Sequence, residues 1–317
     1  MSYKEDKYKS WGIKIRQLKD YNYRAIWYNL KTIRLGENKD DIIELPPSLS
    51  EFYDVSLTNR CNLNCDFCYV SASDKGEDFT NICEVWKAWM STYPEDKKYK
   101  GVTYTSKPFQ IACGSTGEVT LNKDLCKFFQ TVYETGVVPN YTTNGLILSD
   151  YNNPWCQEIL EATKNFCGGV ALSFGNTRAR SRAIIAIENL LKYGECKVMI
   201  HHLISDKSSV NDFAFHAMNY KDDIHYHVLL PLMKHGRSNR GLEEGVFEYL
   251  QDTIISQDIK NVAFGANFYP YLEGSKLPVS VYPQEAYSKN VILNNKVIIT
   301  PSSFNLTPIE EIDVLHS

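Results

Sequence analysis

From residue 52 onward, short runs rich in β-branched and aromatic residues alternate with longer segments of helical period, which restricts the fold more than any other feature. The strand-like runs cover residues 53–57, 109–113, 138–142, 169–173, 197–203 and 225–230, and the helical ones 82–93, 123–135, 154–165, 178–192, 209–219 and 243–255. Six strand-then-helix alternations require parallel strands with right-handed crossovers, hence an α/β sheet or barrel. Asn122, Asn153 and Ser208 stand where N-caps belong, and Gly136, Gly168 and Gly194 follow helical runs.

Both flanks break this rhythm. Residues 1–50 read as a β-rich appendage with a hairpin within 20–44, ended by Pro46-Pro47. Past residue 258, one further strand is expected at 261–269 and a hairpin at 291–299, turning on Asn294-Asn295. The expected division is an appendage (1–50), a main body (51–257) and a C-terminal cap (258–317). A chain of 317 residues, 43% of them hydrophobic, has room for a substantial core.

Charge and composition exclude several roles. With 38 acidic against 34 basic residues, no broad basic field exists, and bulk nucleic-acid binding is not favoured. The first ten residues are polar and lack the apolar core of a secretory signal. No run approaches the roughly 18 apolar residues needed to cross a bilayer. The expected compartment is the cytoplasm, where thiols stay reduced.

Nine cysteines end at Cys196, and three of them, Cys61, Cys65 and Cys68, fall within eight positions. A disulfide knot, a zinc knuckle, an iron-sulfur cluster and coincidence are the available readings. Structural zinc wants four ligands, usually in two short pairs, and no second pair is present; His201 and His202 are adjacent on a strand and point to opposite faces. A 4Fe-4S cluster on three thiolates leaves one iron open to a small molecule.

At this spacing the residues resemble the radical S-adenosylmethionine superfamily, whose signature is Cys-x-x-x-Cys-x-aromatic-Cys, with Phe67 as the aromatic residue here. Further matches follow in order along the strands. Thr116-Gly117-Glu118 is similar to that family's Gly-Gly-Glu-Pro, with Thr116 replacing its first glycine and Val119 its proline. Thr143-Asn144-Gly145 resembles its Thr-Asn-Gly, Ser173 ends the fourth strand, and Leu230-Pro231 with Gly236-Arg237 resembles its Leu-Pro…Gly-Arg.

The resemblance implies a partial (β/α)6 TIM-like barrel with Cys61, Cys65 and Cys68 as cluster ligands and catalytic centre. It assigns S-adenosylmethionine contacts to Phe67, Thr116, Gly117, Glu118, Asn144, Ser173, Arg178 and Leu230. Glu118 would meet the ammonium with close approach at Gly117, Ser173 the ribose, Phe67 and Leu230 the adenine, and Arg178 the carboxylate. One of His201 and His202 should face the site; Tyr69 and the aromatic run 264–271 are candidates for the substrate side, and Cys113 for a hydrogen-atom donor. The implied activity is reductive cleavage of S-adenosylmethionine to a 5′-deoxyadenosyl radical, which takes hydrogen from substrate. Implied partners are an external flavodoxin- or ferredoxin-like electron donor and a substrate, with a peptide or protein side chain slightly ahead of a small metabolite or nucleotide. Resemblance of residues 287–304 to auxiliary-cluster extensions, without their cysteines, supports the peptide. A catalytically degenerate module that keeps cluster and cofactor binding is the rival of a different class, with a zinc-stabilised structural protein behind it.

Overall fold

The computed structural model describes residues 7–21, 23–35, 45–175, 179–277 and 288–315. In chain order come β1 (Ile13–Leu18), β2 (Tyr23–Tyr28), β3 (Lys31–Leu35), β4 (Phe52–Ser56), α1 (Ile82–Ser91), β5 (Lys97–Tyr99), β6 (Val102–Thr105) and β7 (Gln110–Cys113). The middle of the chain holds α2 (Leu125–Glu134), β8 (Val138–Thr143), α3 (Pro154–Phe166), β9 (Gly169–Ser173), α4 (Arg180–Asn189), β10 (Lys197–Ile204) and α5 (Lys207–Asn219). Last come β11 (Tyr226–Pro231), α6 (Val246–Ser256), β12 (Val262–Phe264), α7 (Tyr269–Leu272), β13 (Ser288–Leu293), β14 (Val297–Thr300) and β15 (Glu310–Ile312).

The main sheet runs β12-β11-β10-β9-β8-β7-β4-β13-β14-β15. Every pairing from β12 to β13 is parallel, and the last two strands add antiparallel pairings. The six predicted strand-helix units are all present, with β4, β7, β8, β9, β10 and β11 side by side in chain order. No pairing joins β12 to β15, so the sheet is open. Its rim nevertheless curls. Flat, β4 and β11 would stand about 24 Å apart, five strand spacings; yet the Arg237 N–H, beyond β11, donates to the Cys68 carbonyl, beyond β4, at 3.0 Å.

The two faces differ in chemistry. Tyr53, Val55, Ile111, Cys113, Tyr141, Val170, Leu172, Val198 and Ile200 face the helices in one apolar core with Trp86, Trp89, Phe128 and Phe129. The alternate residues form the inner face. Pairing puts Asn290, Asp54, Ala112 and Asn140 in one cross-strand row, and Ser173, His201 and Val228 in another.

A second sheet, β3-β2-β1-β6-β5, lies at the N-terminal ends of the parallel strands, where Tyr8, Tyr23, Ala25 and Trp27 pack with Phe109 and Val138. The expected hairpin is the β2/β3 pair, turning at Asn29 and Leu30, both with positive φ. Unforeseen in the sequence are β1 and the β5/β6 hairpin, which joins this sheet from between α1 and β7.

Some expectations are corrected. The cap of α5 is Asp206, which accepts from the Ser209 N–H at 2.8 Å while the Ser209 hydroxyl takes the Asp206 N–H; Ser208 lies inside the helix. Asn122 accepts from the Asp124 N–H at 2.9 Å, three residues before α2 begins, whereas Asn153 caps α3 as expected. The strand expected over 261–269 stops at Phe264, and the chain coils through residues 266–268 into α7, whose first turn accepts Pro270. The expected 291–299 hairpin is β13/β14, with Asn295 at φ 58°.

Candidate active site

The loop that leaves β4 is fixed before it reaches its first cysteine. The Thr58 hydroxyl donates within hydrogen-bond reach of both the Glu77 carbonyl (2.9 Å) and Asp78 (2.8 Å), and it accepts from the Arg60 N–H at 3.0 Å. Arg60 pairs with Asp78 and donates to the Leu121 carbonyl, and the Cys61 N–H donates to the Ser73 carbonyl at 2.8 Å. The segment thus doubles back on itself and presents residues 61–68 at the C-terminal rim of the sheet.

Three other rim segments hold this loop. Beyond β7, Gly117 (φ 70°) lies so close that an added Cβ would stand 2.6 Å from the Arg60 carbonyl oxygen and 2.8 Å from that of Thr58. The Glu118 N–H donates to the Arg60 carbonyl at 2.8 Å, and the Thr116 hydroxyl to that of Thr58 at 2.9 Å. Beyond β8, Asn144 donates its amide to Asn62 at 2.8 Å. Beyond β11, Gly236 (φ 61°) sits where a Cβ would meet the Cys68 and Tyr69 carbonyls at 2.3 Å, and the Arg237 guanidinium bonds the carbonyls of Cys65 (2.7 Å) and Ala72 (2.9 Å).

Cys61, Cys65 and Cys68 are half-buried and none is in a disulfide. Among the described residues, no three Cys, His, Asp or Glu side chains are drawn together into a metal-holding group as they stand. The Cys61 thiol accepts from the Leu63 N–H, and burial pushes it up to about 11 against that bond, with the Glu118 carboxyl and the other two thiols adding to the rise. Three reduced, soft donors on one loop, none in a disulfide, are nonetheless a donor set that suits iron.

The predicted cofactor contacts fall into groups. Thr116, Gly117, Glu118 and Asn144 share one network with the cysteine loop, but it engages them from within. Glu118 is buried and accepts from the Thr120 N–H and hydroxyl, the Thr143 hydroxyl and the Asn144 N–H. Three of these bonds fall on Oε1 and one on Oε2, and together they tie the β7 and β8 ends through Glu118. Burial raises its carboxyl above the ordinary range despite these donors. Gly117 permits close approach of the cysteine loop.

Phe67 lies at the end of β9, 3.1 Å from where a Cβ on Gly175 would stand. Ser173 and Leu230 occupy the inner face, the latter paired with Leu203. Arg178 falls outside the described residues, and its neighbour Arg180 is engaged with Asp212 at 2.8 Å. His201 faces inward beside Ser173, whereas His202 faces the helices, 3.0 Å from His227. Burial alone lowers His201 to about 4. Cys113 is buried on the helix-packed face and is removed from the inner-face candidates. Phe268, from the aromatic run 264–271, is core against Phe247 and Leu250.

Tyr69 donates its hydroxyl to the Ser115 carbonyl at 2.6 Å and stacks on Phe304 at 4.5 Å. Burial pushes it up to about 12 against a bond from Ser303, and the Asp54 carboxyl and Cys68 add to the rise. Asp54 itself was missed by sequence reasoning, since a lone Asp between Tyr53 and Val55 reads as the wet side of a strand. Burial raises it to about 7.

No family model matches the sequence, and no curated protein matches it. Solved structures do match. SuiB of Streptococcus suis bound to precursor peptide SuiA superposes with TM-score 0.56 at 14% identity, over 81% of this chain and 60% of that one. SuiB bound to S-adenosylmethionine gives 0.54 at 14% identity, over 80% and 60%, and anSMEcpe with bound AdoMet gives 0.51 at 15% identity, over 81% and 74%. The chain shares the fold of these structures, two of which are solved with bound S-adenosylmethionine. It spans 60% of the length of SuiB.

Proposed function

We propose that this chain is a radical S-adenosylmethionine enzyme built on a partial (β/α)6 barrel, with Cys61, Cys65 and Cys68 as ligands to a 4Fe-4S cluster. One observation carries the reading: three cysteines of a single loop, none in a disulfide, stand at the C-terminal rim of a parallel sheet, with loops from β7 and β11 bracing the loop's backbone and the β8 end bonding its Asn62 side chain. When bound, such a cluster supplies the electron that cleaves the sulfonium bond of S-adenosylmethionine and yields a 5′-deoxyadenosyl radical.

The chain's own residues do the rest. Arg237 and Gly236 fix the carbonyls of Cys65 and Cys68, which orients the thiols. Phe67, Ser173 and Leu230 would line the cofactor's place, Arg178 would meet its carboxylate, and the inner face would receive substrate. We place the protein in the cytoplasm with an external flavodoxin- or ferredoxin-like donor. Among the described residues, no helix is long and apolar enough to cross a membrane. A peptide side chain is the favoured substrate, supported by the likeness to SuiB, which is bound to a precursor peptide.

Anaerobic reconstitution should load about four irons per chain, with broad absorbance near 400 nm. The reduced protein should then release 5′-deoxyadenosine from S-adenosylmethionine, and Cys65→Ala should lose both iron and cleavage. Zinc without iron would sink the reading. The internal engagement of Glu118 favours a second one, a degenerate binding module, which loading without any 5′-deoxyadenosine under strong reduction would establish.

A further inference from the structure

The inner face carries a carboxylate with nothing to balance it. Asp54 is half-buried, and its side chain has no hydrogen-bond or ion-pair partner among the described residues. Its row neighbours do not supply one. Ala112 has no polar side-chain atom. The Asn290 amide donates to Thr300, and its oxygen accepts from Ser115 and Ser56, while the Asn140 amide is held by the Ile111 carbonyl at 2.9 Å. A partly desolvated carboxylate without a partner marks a place for a complementary charge.

The surroundings narrow that charge. Asp54 stands seven residues before Cys61 on the strand that feeds the cysteine loop, and its charge reaches Tyr69, next to Cys68. The Tyr69/Phe304 pair, stacked at 4.5 Å, adds an aromatic wall on the same side of the molecule. A carboxylate with aromatic rings nearby is the chemistry that recognises an organic cation.

We propose that Asp54 is the docking group for the protonated amine or guanidinium at the tip of a substrate side chain of the lysine or arginine class. The tip would sit deep on β4, so that the methylenes behind it pass below the cysteine loop toward the rim. What then happens to those methylenes rests on the radical reading; the docking does not, and it is tested on the full chain without cluster or cofactor.

Equilibrium binding of N-acetyl-lysine methylamide is compared with that of its neutral isostere, N-acetyl-norleucine methylamide. The lysine probe should bind at least about tenfold more tightly, and Asp54→Asn should remove that difference. In the wild-type chain, the lysine probe alone should move the Asp54 carboxyl carbon resonance, a readout independent of how the variant folds. Failure of the lysine probe to bind, equal affinity for the two probes, or unchanged affinity in Asp54→Asn overturns the proposal. A third arm, n-pentylamine, separates sources: weaker binding than the blocked lysine assigns the site to a peptide side chain, and equal binding assigns it to a free alkylamine. Loss of iron loading or cofactor cleavage in the wild type would overturn the radical reading and leave this one standing.

Discussion

The two ends of the parallel sheet bury polar groups in opposite ways. At the N-terminal end, Lys14 and Arg16 point inward from β1 and find carbonyls waiting: Lys14 meets that of Gly136 and lies 3.9 Å over Trp11, and Arg16 meets those of Ser106 (3.0 Å) and Leu49 (2.6 Å). At the C-terminal end, the backbone is equally well held, but Cys65 and Cys68, Ser173, His201 and Asp54 face the rim or the inner face. Carbonyls take most of the cationic donors and close one end, although one Arg16 guanidinium nitrogen and the Trp27 indole N–H have no partner among the described residues. Held backbone with available side chains leaves the other ready for ligands. Burial of a charge therefore says little about function until its partners are counted.

Removing a cation from the closed end should have the largest effect. Arg16→Ala takes the donors from two half-buried carbonyls and leaves a void beside Tyr23, a loss of about 3–5 kcal/mol in urea unfolding. A loss below about 1 kcal/mol would show that this end is not the closed plug described. Gly117→Ala at the rim should come next, at about 2–4 kcal/mol, since the new Cβ meets the Arg60 and Thr58 carbonyl oxygens and the residue must keep a left-handed conformation. Iron loading should fall with it. Normal loading and stability would mean that the cysteine loop does not lean on Gly117.

Adjacent histidines extend the comparison to the two faces of one strand. His202 and His227 are buried together near His216; burial first, then their mutual charge, holds His202 well below the ordinary value, and burial with His216 lowers His227 to about 4. The unfolded chain binds protons on them near pH 6.5 and the folded chain does not, so their contribution is complete above about 6.5 and is lost as pH falls toward 4. Asp54, raised to about 7, slopes the opposite way over the same window, so the measurement must be a difference. Between pH 7 and pH 5, wild type should lose about 2 kcal/mol more than His227→Phe. Parallel pH profiles would remove these histidines as the source.

What the sequence made legible follows from which information is local. Six strand-helix units were readable because each strand needs only its own composition and each helix its own period; Ile82, Val85, Trp86 and Trp89 show that period in α1. β1 was not readable, because its alternation is inverted. Ile13 is exposed while Lys14 and Arg16 are inside, and the carbonyls that permit this come from residues 33 to 122 positions away. At the site, the cysteine spacing was visible in a single loop. The engagement of Glu118 was not, since two of its donors sit at the end of another strand, and neither was Asp54, because the side of β4 it occupies is defined only once β7 and β13 are paired.

Arg237 makes the smallest stability change and the sharpest distinction between held backbone and available side chain. Its guanidinium is half-buried and bonds two carbonyls of the cysteine loop, while its own N–H already fixes Cys68. In Arg237→Gln the backbone bond survives and the two charged donors go, so global unfolding should shift by only about 1 kcal/mol. Lysine cannot restore the arrangement, because its single ammonium lacks the planar fork that spans Cys65 and Ala72. The effect should be local: faster amide exchange over residues 61–71 and weaker retention of iron under chelator challenge, in both Gln and Lys variants, with the N-terminal sheet unchanged. Unaltered exchange in this loop would mean that its order comes from Thr58, Arg60 and Gly117 alone, and the rim would then be braced from one side of the sheet rather than across it.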